Sequence, residues 1–68
     1  MAGQELTLTG IAVRLHNRAA TFQSFAKSWD EKEQCYQRDE CHCIAGAFIE
    51  GRDLLCDYLA QQIEKEAN

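Results

Sequence analysis

Small and apolar side chains recur along the first half of the chain in alternating steps of four and three residues. They are Leu8, Ala12, Leu15, Ala19, Phe22, Ala26 and Trp29. Such steps place side chains on one face of an α-helix, because the helix completes a turn every 3.6 residues. Polar and charged side chains fall outside the stripe, namely Arg14, Arg18, Gln23 and Lys27. The pattern predicts an amphipathic helix from about residue 9 to residue 34.

Each end of this helix has an alternative. The side chain of Thr7 or Thr9 is suited to cap the first turn, but Leu6 to Thr9 also alternates like a short strand. Ser28 followed by Glu31 matches a capping box, which would break the helix near Trp29 and start a short separate helix. The main interpretation keeps one continuous helix.

A second helix is predicted from about residue 40 to residue 65. Residues 35–39 carry no helical face of their own, and the anions Asp39 and Glu40 favour a helix N-terminus, so the turn is placed at 35–39. Positions that face inward or lie at the margins of the stripe are predicted for Ile44, Ala45, Phe48, Leu55, Tyr58, Leu59 and Ile63; Ile49 and Cys56 widen the stripe, and Cys56 is expected in the core. Gly46 and Gly51 are either tolerated or allow another backbone to come close.

The chain has 68 residues and no proline, and its composition favours an all-α fold in one domain, residues 1–68. Two helices joined by a short turn make an antiparallel hairpin. A single hairpin interface would leave large side chains such as Phe22, Trp29 and Phe48 partly in water. We therefore expect a homodimer that forms a four-helix bundle, and the alternative is a monomer whose open apolar side is its binding site.

The net charge of −4 is unevenly distributed. Residues 1–29 carry a net charge of +2 and residues 30–68 a net charge of −6, so the two halves should attract each other. An acidic chain makes nucleic acid an unlikely partner. The sequence shows neither a membrane-spanning apolar run nor a signal peptide, and a cytoplasmic protein with no membrane association is expected.

Three thiols and an imidazole lie within nine residues, at Cys35, Cys41, His42 and Cys43. These are zinc ligands by type, but their spacing does not match the usual pairs, and successive helical residues point about 100° apart. A disulfide from Cys35 to Cys41 or Cys43 is a second possibility, which would make a redox switch. Packed free thiols are favoured over a thiol-based zinc or redox sensor, and no cofactor is expected.

No enzyme site is recognisable. A nucleophilic cysteine paired with His42 or His16 would be the simplest catalytic pair, but adjacent residues such as Cys41 and His42 cannot place the thiol and the imidazole within hydrogen-bond reach. A bundle of this size also has little volume for a substrate pocket. The chain also lacks a glycine-rich phosphate loop and a nucleophile elbow. We expect a protein without catalytic activity.

Arg14 and Arg18 lie one helical turn apart and offer a weak basic strip. An RNA-binding helical-hairpin dimer that uses these two arginines is an alternative function. A solvated helix face is the favoured interpretation, because two or three cations give little electrostatic attraction to RNA.

The preferred function is a small interaction module that docks on a larger protein and modulates or inhibits it. Trp and Tyr are enriched in binding hot spots, and an acidic collar surrounds the expected turn. The predicted binding residues are Trp29, Asp30, Glu31, Glu33, Tyr36, Asp39 and Glu40.

Overall fold

The computed structural model describes residues 6–67, which form two α-helices packed against each other as a hairpin. Helix α1 spans Leu8–Glu31 and helix α2 spans Cys35–Ala67. No strand occurs within the described range. The expected all-α helical hairpin is confirmed. Neither helix has a stretch of residues that is long and apolar enough to cross a membrane.

Helix α1 begins after Thr7, whose extended backbone and side chain form the N-cap. The backbone N–H of Gly10 donates to Thr7 Oγ1 at 2.9 Å, and the N–H of Ile11 donates to the Thr7 carbonyl at 2.9 Å. A threonine hydroxyl in this position satisfies one of the N–H groups that the first turn leaves without a partner. Of the two candidate caps Thr7 is the one used, and the strand-like alternation of residues 6–9 does not give a strand.

The turn between the helices is a tight C-cap centred on Glu33, which adopts a left-handed backbone with φ of 61°. The N–H of Gln34 donates to the Trp29 carbonyl at 2.9 Å, and the N–H of Glu33 donates to the Asp30 carbonyl at 3.0 Å. These two bonds form a Schellman motif, which usually has glycine at the left-handed position. Here a glutamate occupies that position at a conformational cost.

The predicted turn at 35–39 is wrong, because those residues form the first turns of α2. Helix α1 ends at Glu31 rather than near residue 34, and α2 runs from Cys35 to Ala67 rather than from 40 to 65. Residues 35–37 lack an apolar face because they lie at the tip of the hairpin, where α1 has already ended. Ser28 lies inside α1, so the capping-box break near Trp29 does not occur.

The helices meet over small side chains. Ala12, Ala19 and Ala26 of α1 are 8%, 3% and 0% exposed, and Cys41 and Ala45 of α2 are 8% and 3% exposed. The three alanines are seven residues apart, so they form a single seam along α1. These alanines therefore let α1 and α2 of one chain approach each other closely.

Three pairs of side chains show how the antiparallel helices are aligned. Near the turn, Arg38 Nη1 lies 2.8 Å from Asp30 Oδ1. Further from the turn, the rings of Phe22 and Phe48 stack with their centroids 5.8 Å apart. Towards the open end Arg52 Nη1 lies 2.9 Å from His16 Nδ1. Because an arginine can only donate, His16 Nδ1 accepts this bond.

Several residues expected in the core are exposed in the single chain. Ile44, Tyr58 and Ile63 are 40%, 48% and 67% exposed, and Cys56 is also exposed, so the expectation that Cys56 is core is wrong for the hairpin alone. A hairpin has one interface, and that interface is filled by alanines. The larger side chains therefore lie beside the interface instead of within it.

Replacing Glu33 by glycine should stabilise the hairpin. A left-handed backbone costs a residue other than glycine about 1–2 kcal/mol, and glycine removes this cost. Glycine also raises the conformational entropy of the unfolded chain, which offsets part of the gain. We therefore expect the free energy of unfolding to rise by about 0.5–1 kcal/mol. Urea denaturation followed by circular dichroism measures it. Ser24→Gly, at an exposed position in the interior of α1, is the control and should lose about 0.5 kcal/mol. Equal losses in both variants would show that residue 33 is not left-handed.

Candidate functional site

The hairpin is a single layer of two helices, with a smallest Cα dimension of 12 Å, and it has two broad faces of different chemistry. One face, named here the apolar face, carries side chains in steps of three, four and seven along both helices. Its members are Ile11, Leu15, Phe22, Phe25 and Trp29 of α1 and Ile44, Phe48, Leu55, Tyr58 and Leu59 of α2.

An aromatic cluster joins the two helices on the apolar face. Phe22 stacks on Phe48 across the helix boundary, and the ring of Phe25 meets Phe22 edge-on at 5.6 Å and 87°. Both geometries are favourable for aromatic pairs. The cluster nevertheless stays open to solvent, since Phe25 is 49% exposed.

No large side chain among the described residues is fully buried. Every member of the apolar face is half-buried or exposed. Contiguous apolar surface of this kind is a candidate interaction site. This is the most informative feature of the hairpin.

Trp29 lies at the turn end of the apolar face and is half-buried. The ammonium of Lys32 lies 5.0 Å from the centre of its ring, within the range of a cation–π interaction. The sequence prediction grouped Trp29 with the acidic residues of the turn. The structure instead places it with Phe22 and Phe25, as their spacing of three and four residues requires.

The opposite side of the interface holds a polar groove of about 540 Å³. Its lining residues are Gln23, Ala26, Lys27, Asp30, Arg38, Asp39 and His42. Arg38 bonds to Asp30, and its Nε donates to Asp39 Oδ1 at 3.1 Å. The carboxylate of Asp30 first, and then that of Asp39, raises the pKa of the Arg38 guanidinium above its ordinary value. Two of the acidic residues predicted to bind a partner are therefore paired with an arginine of the same chain.

A second groove, named here the outer groove, lies on the side of α2 that faces away from α1. It is lined by Tyr36, Asp39, Glu40, Cys43 and Ile44 and encloses about 480 Å³. Tyr36 is 73% exposed and Ile44 is 40% exposed, so the floor is apolar and the rim carries two carboxylates. Three of the seven predicted binding residues meet here, namely Tyr36, Asp39 and Glu40.

The remaining predicted residues are dispersed. Asp30 faces the polar groove, Glu31 is the last residue of α1, and Glu33 is the left-handed residue of the turn. The sequence reasoning missed Cys43 and Ile44 as groove residues. With α2 starting at Cys35, the helical steps from Tyr36 to Glu40 and on to Cys43 and Ile44 would have indicated a shared face.

The cysteine and histidine cluster does not come together. Cys41 is buried between the helices, His42 faces the polar groove, Cys43 faces the outer groove, and Cys35 is exposed. In residues 6–67 no group of three metal-binding side chains is close enough to hold an ion. All four cysteines are free, and Cys35 and Cys43 are about 12 Å apart along one helix, which is too far for a disulfide.

Arg14 and Arg18 are exposed and line a shallow pocket with Asn17 and Thr21. The two arginines are adjacent, as their spacing predicted. Arg18 also lies within the stripe of the apolar face, three residues after Leu15 and four before Phe22.

Comparisons with known proteins gave no match: no family model, curated protein or solved structure resembles this chain.

Proposed function

We propose that this chain is a protein-interaction module without catalytic activity, and that its apolar face binds a second copy of the chain to form a four-helix bundle. The observation that carries the proposal is the half-exposed apolar face, which spans both helices and contains no fully buried large side chain among the described residues. Two such faces placed together would bury each other, as in other helical bundles.

The stability of so small a chain supports a second copy as the occupant. A fully buried Leu or Phe side chain contributes about 1.5–3 kcal/mol relative to exposure, and the hairpin gains only part of this for each member of the face. A core of this size alone rarely supplies more than about 3–5 kcal/mol. Dimerisation would bury the solvent-exposed sides of Phe22, Phe25 and Phe48 and so increase the free energy that stabilises the folded state.

Residues 6–67 contain no nucleophile and base held within hydrogen-bond reach of each other, which supports a binding role over catalysis. In the polar groove, Asp30 and Arg38 are bound to each other, and His42 has no hydrogen bond to a nucleophile in the described part of the chain. The grooves are open surface features. Nucleophilic catalysis needs a nucleophile and base within hydrogen-bond reach.

Phe25→Ser should disrupt the dimer while leaving the helices formed. Phe25 is 49% exposed in the hairpin, so the substitution removes more from the dimer contact than from the interface within the chain. Loss of one buried phenyl ring per copy should weaken dimerisation at least about a hundredfold. Sedimentation equilibrium measures the dissociation constant, and circular dichroism checks helicity.

Val13→Ser is the matched control, because Val13 is 53% exposed and lies on the side of α1 opposite the apolar face. It should leave the dissociation constant unchanged. Wild-type protein that sediments as a monomer at every concentration would contradict the proposal. So would a dimer that Val13→Ser weakens as much as Phe25→Ser does.

We further propose that the outer groove is the surface through which the dimer docks on a larger protein and modulates it. The groove points away from α1, and Tyr36, Asp39, Glu40 and Cys43 lie outside the apolar face, while Ile44 borders both surfaces. Its exposed Tyr36 and Ile44 offer an apolar floor, and the carboxylates of Asp39 and Glu40 form an acidic rim. The complementary partner presents an apolar side chain surrounded by lysine or arginine.

A helical peptide of leucine and lysine is the probe for this docking surface. We expect it to shift the NMR signals of Tyr36 and Cys43 and to leave those of Phe25 and Leu55 unchanged, whereas a leucine–glutamate peptide should shift neither set. Tyr36→Ala combined with Glu40→Gln should abolish the response while the dimer mass is kept. Shifts centred on the apolar face, or an unaltered response in the double variant, would refute the assignment of the outer groove.

A further inference from the structure

We infer that the two hairpins of the dimer lie with their turns at the same end, so that α1 of each copy packs against α2 of the other. This inference rests on the proposed dimer and specifies its geometry. Two face-to-face arrangements with twofold symmetry are open to a hairpin. In the same-end arrangement every neighbouring pair of helices is α1 with α2. In the opposite-end arrangement α1 lies beside the partner's α1, and α2 beside the partner's α2.

The charges of the two helices favour the same-end arrangement. Helix α1 carries three cations and two carboxylates, a net charge of +1, whereas α2 carries three cations and seven carboxylates, a net charge of −4. Neighbouring helices in a bundle are about 8–10 Å apart. This distance is within the Debye length of about 10 Å at 0.1 M salt, so salt screens the interaction between their charges only in part. The opposite-end arrangement would set two helices of net charge −4 side by side.

Arg18 supplies an argument at the level of a single residue. It lies in the stripe of the apolar face on α1, between Leu15 and Phe22, and next to Ala19 near the middle of that helix. When two α1 helices cross antiparallel at their centres, Arg18 of one copy meets Arg18 of the other. Like charges placed opposite one another destabilise a contact.

The same-end arrangement keeps the two Arg18 side chains apart instead. Within one chain Phe22 lies beside Phe48 and His16 beside Arg52, so the level of Arg18 along the hairpin corresponds to about Glu50 of α2. A twofold axis parallel to the helices keeps that level, so Arg18 packs against the middle of the partner's α2 and not against the partner's Arg18. Both turns, and both outer grooves, lie at one end of the bundle.

Pulsed electron paramagnetic resonance on nitroxide-labelled protein tests the arrangement. One variant keeps only Cys35, at the turn, through Cys41→Ala, Cys43→Ser and Cys56→Ser. A second adds Cys35→Ser and Ala47→Cys, which places the label near mid-helix. The same-end dimer should give a Cys35 label separation of about 30 Å or less, because the lateral width of the bundle alone sets it.

The opposite-end dimer would separate the same labels by about 40 Å or more, because the length of α1 adds about 36 Å along the bundle. That long distance at Cys35, together with a short distance from the Ala47→Cys label, would overturn the inference and leave the dimer standing. Loss of dipolar coupling at both positions would instead show that the dimer is absent and would overturn the proposed function as well. Short distances at both positions support the same-end arrangement.

Discussion

The packing of Ala12, Ala19 and Ala26 against α2 is the contact on which the rest of the structure depends. Alanine lets the two helices approach closely, and Ala26 is fully excluded from water. An alanine side chain buries little area, however, so this seam supplies only part of the stabilisation that a chain of this size needs. The larger apolar side chains are displaced to one flank, where they form the apolar face. One packing choice thus brings the helices together and leaves an open surface beside them.

The helices and their antiparallel pairing follow from the sequence, because a seven-residue recurrence of small side chains admits few other structures. The turn does not follow so readily. A Schellman motif is usually recognised by glycine, and here Glu33 adopts the left-handed conformation, so the usual signal is missing. The ion pair between Arg38 and Asp30 crosses this turn, and it requires that Arg38 already be helical. The pattern of residues 35–39 alone does not show that Arg38 pairs with Asp30 of the other helix.

The interaction surfaces were predictable only in part. Tyr36, Asp39 and Glu40 share the outer groove, whereas Trp29 belongs to the apolar face and Asp30 is bound by Arg38. The difference has one cause: misplacing the turn by three or four residues rotates every position that follows it relative to α1. The cysteine cluster shows the same effect, since its side chains project from one continuous helix in different directions. Composition and charge identify a surface for binding, but helix register decides which residues share it.

The dependence of thermal stability on protein concentration tests whether the hairpin completes its core with a second copy. If folding is coupled to dimerisation, mass action stabilises the folded dimer as concentration rises. Over about a hundredfold range of concentration we expect the Tm, followed by circular dichroism, to rise by about 5–10 °C. A Tm that is independent of concentration over that range, with the protein fully helical, would contradict the claim and show that the single hairpin is the stable unit.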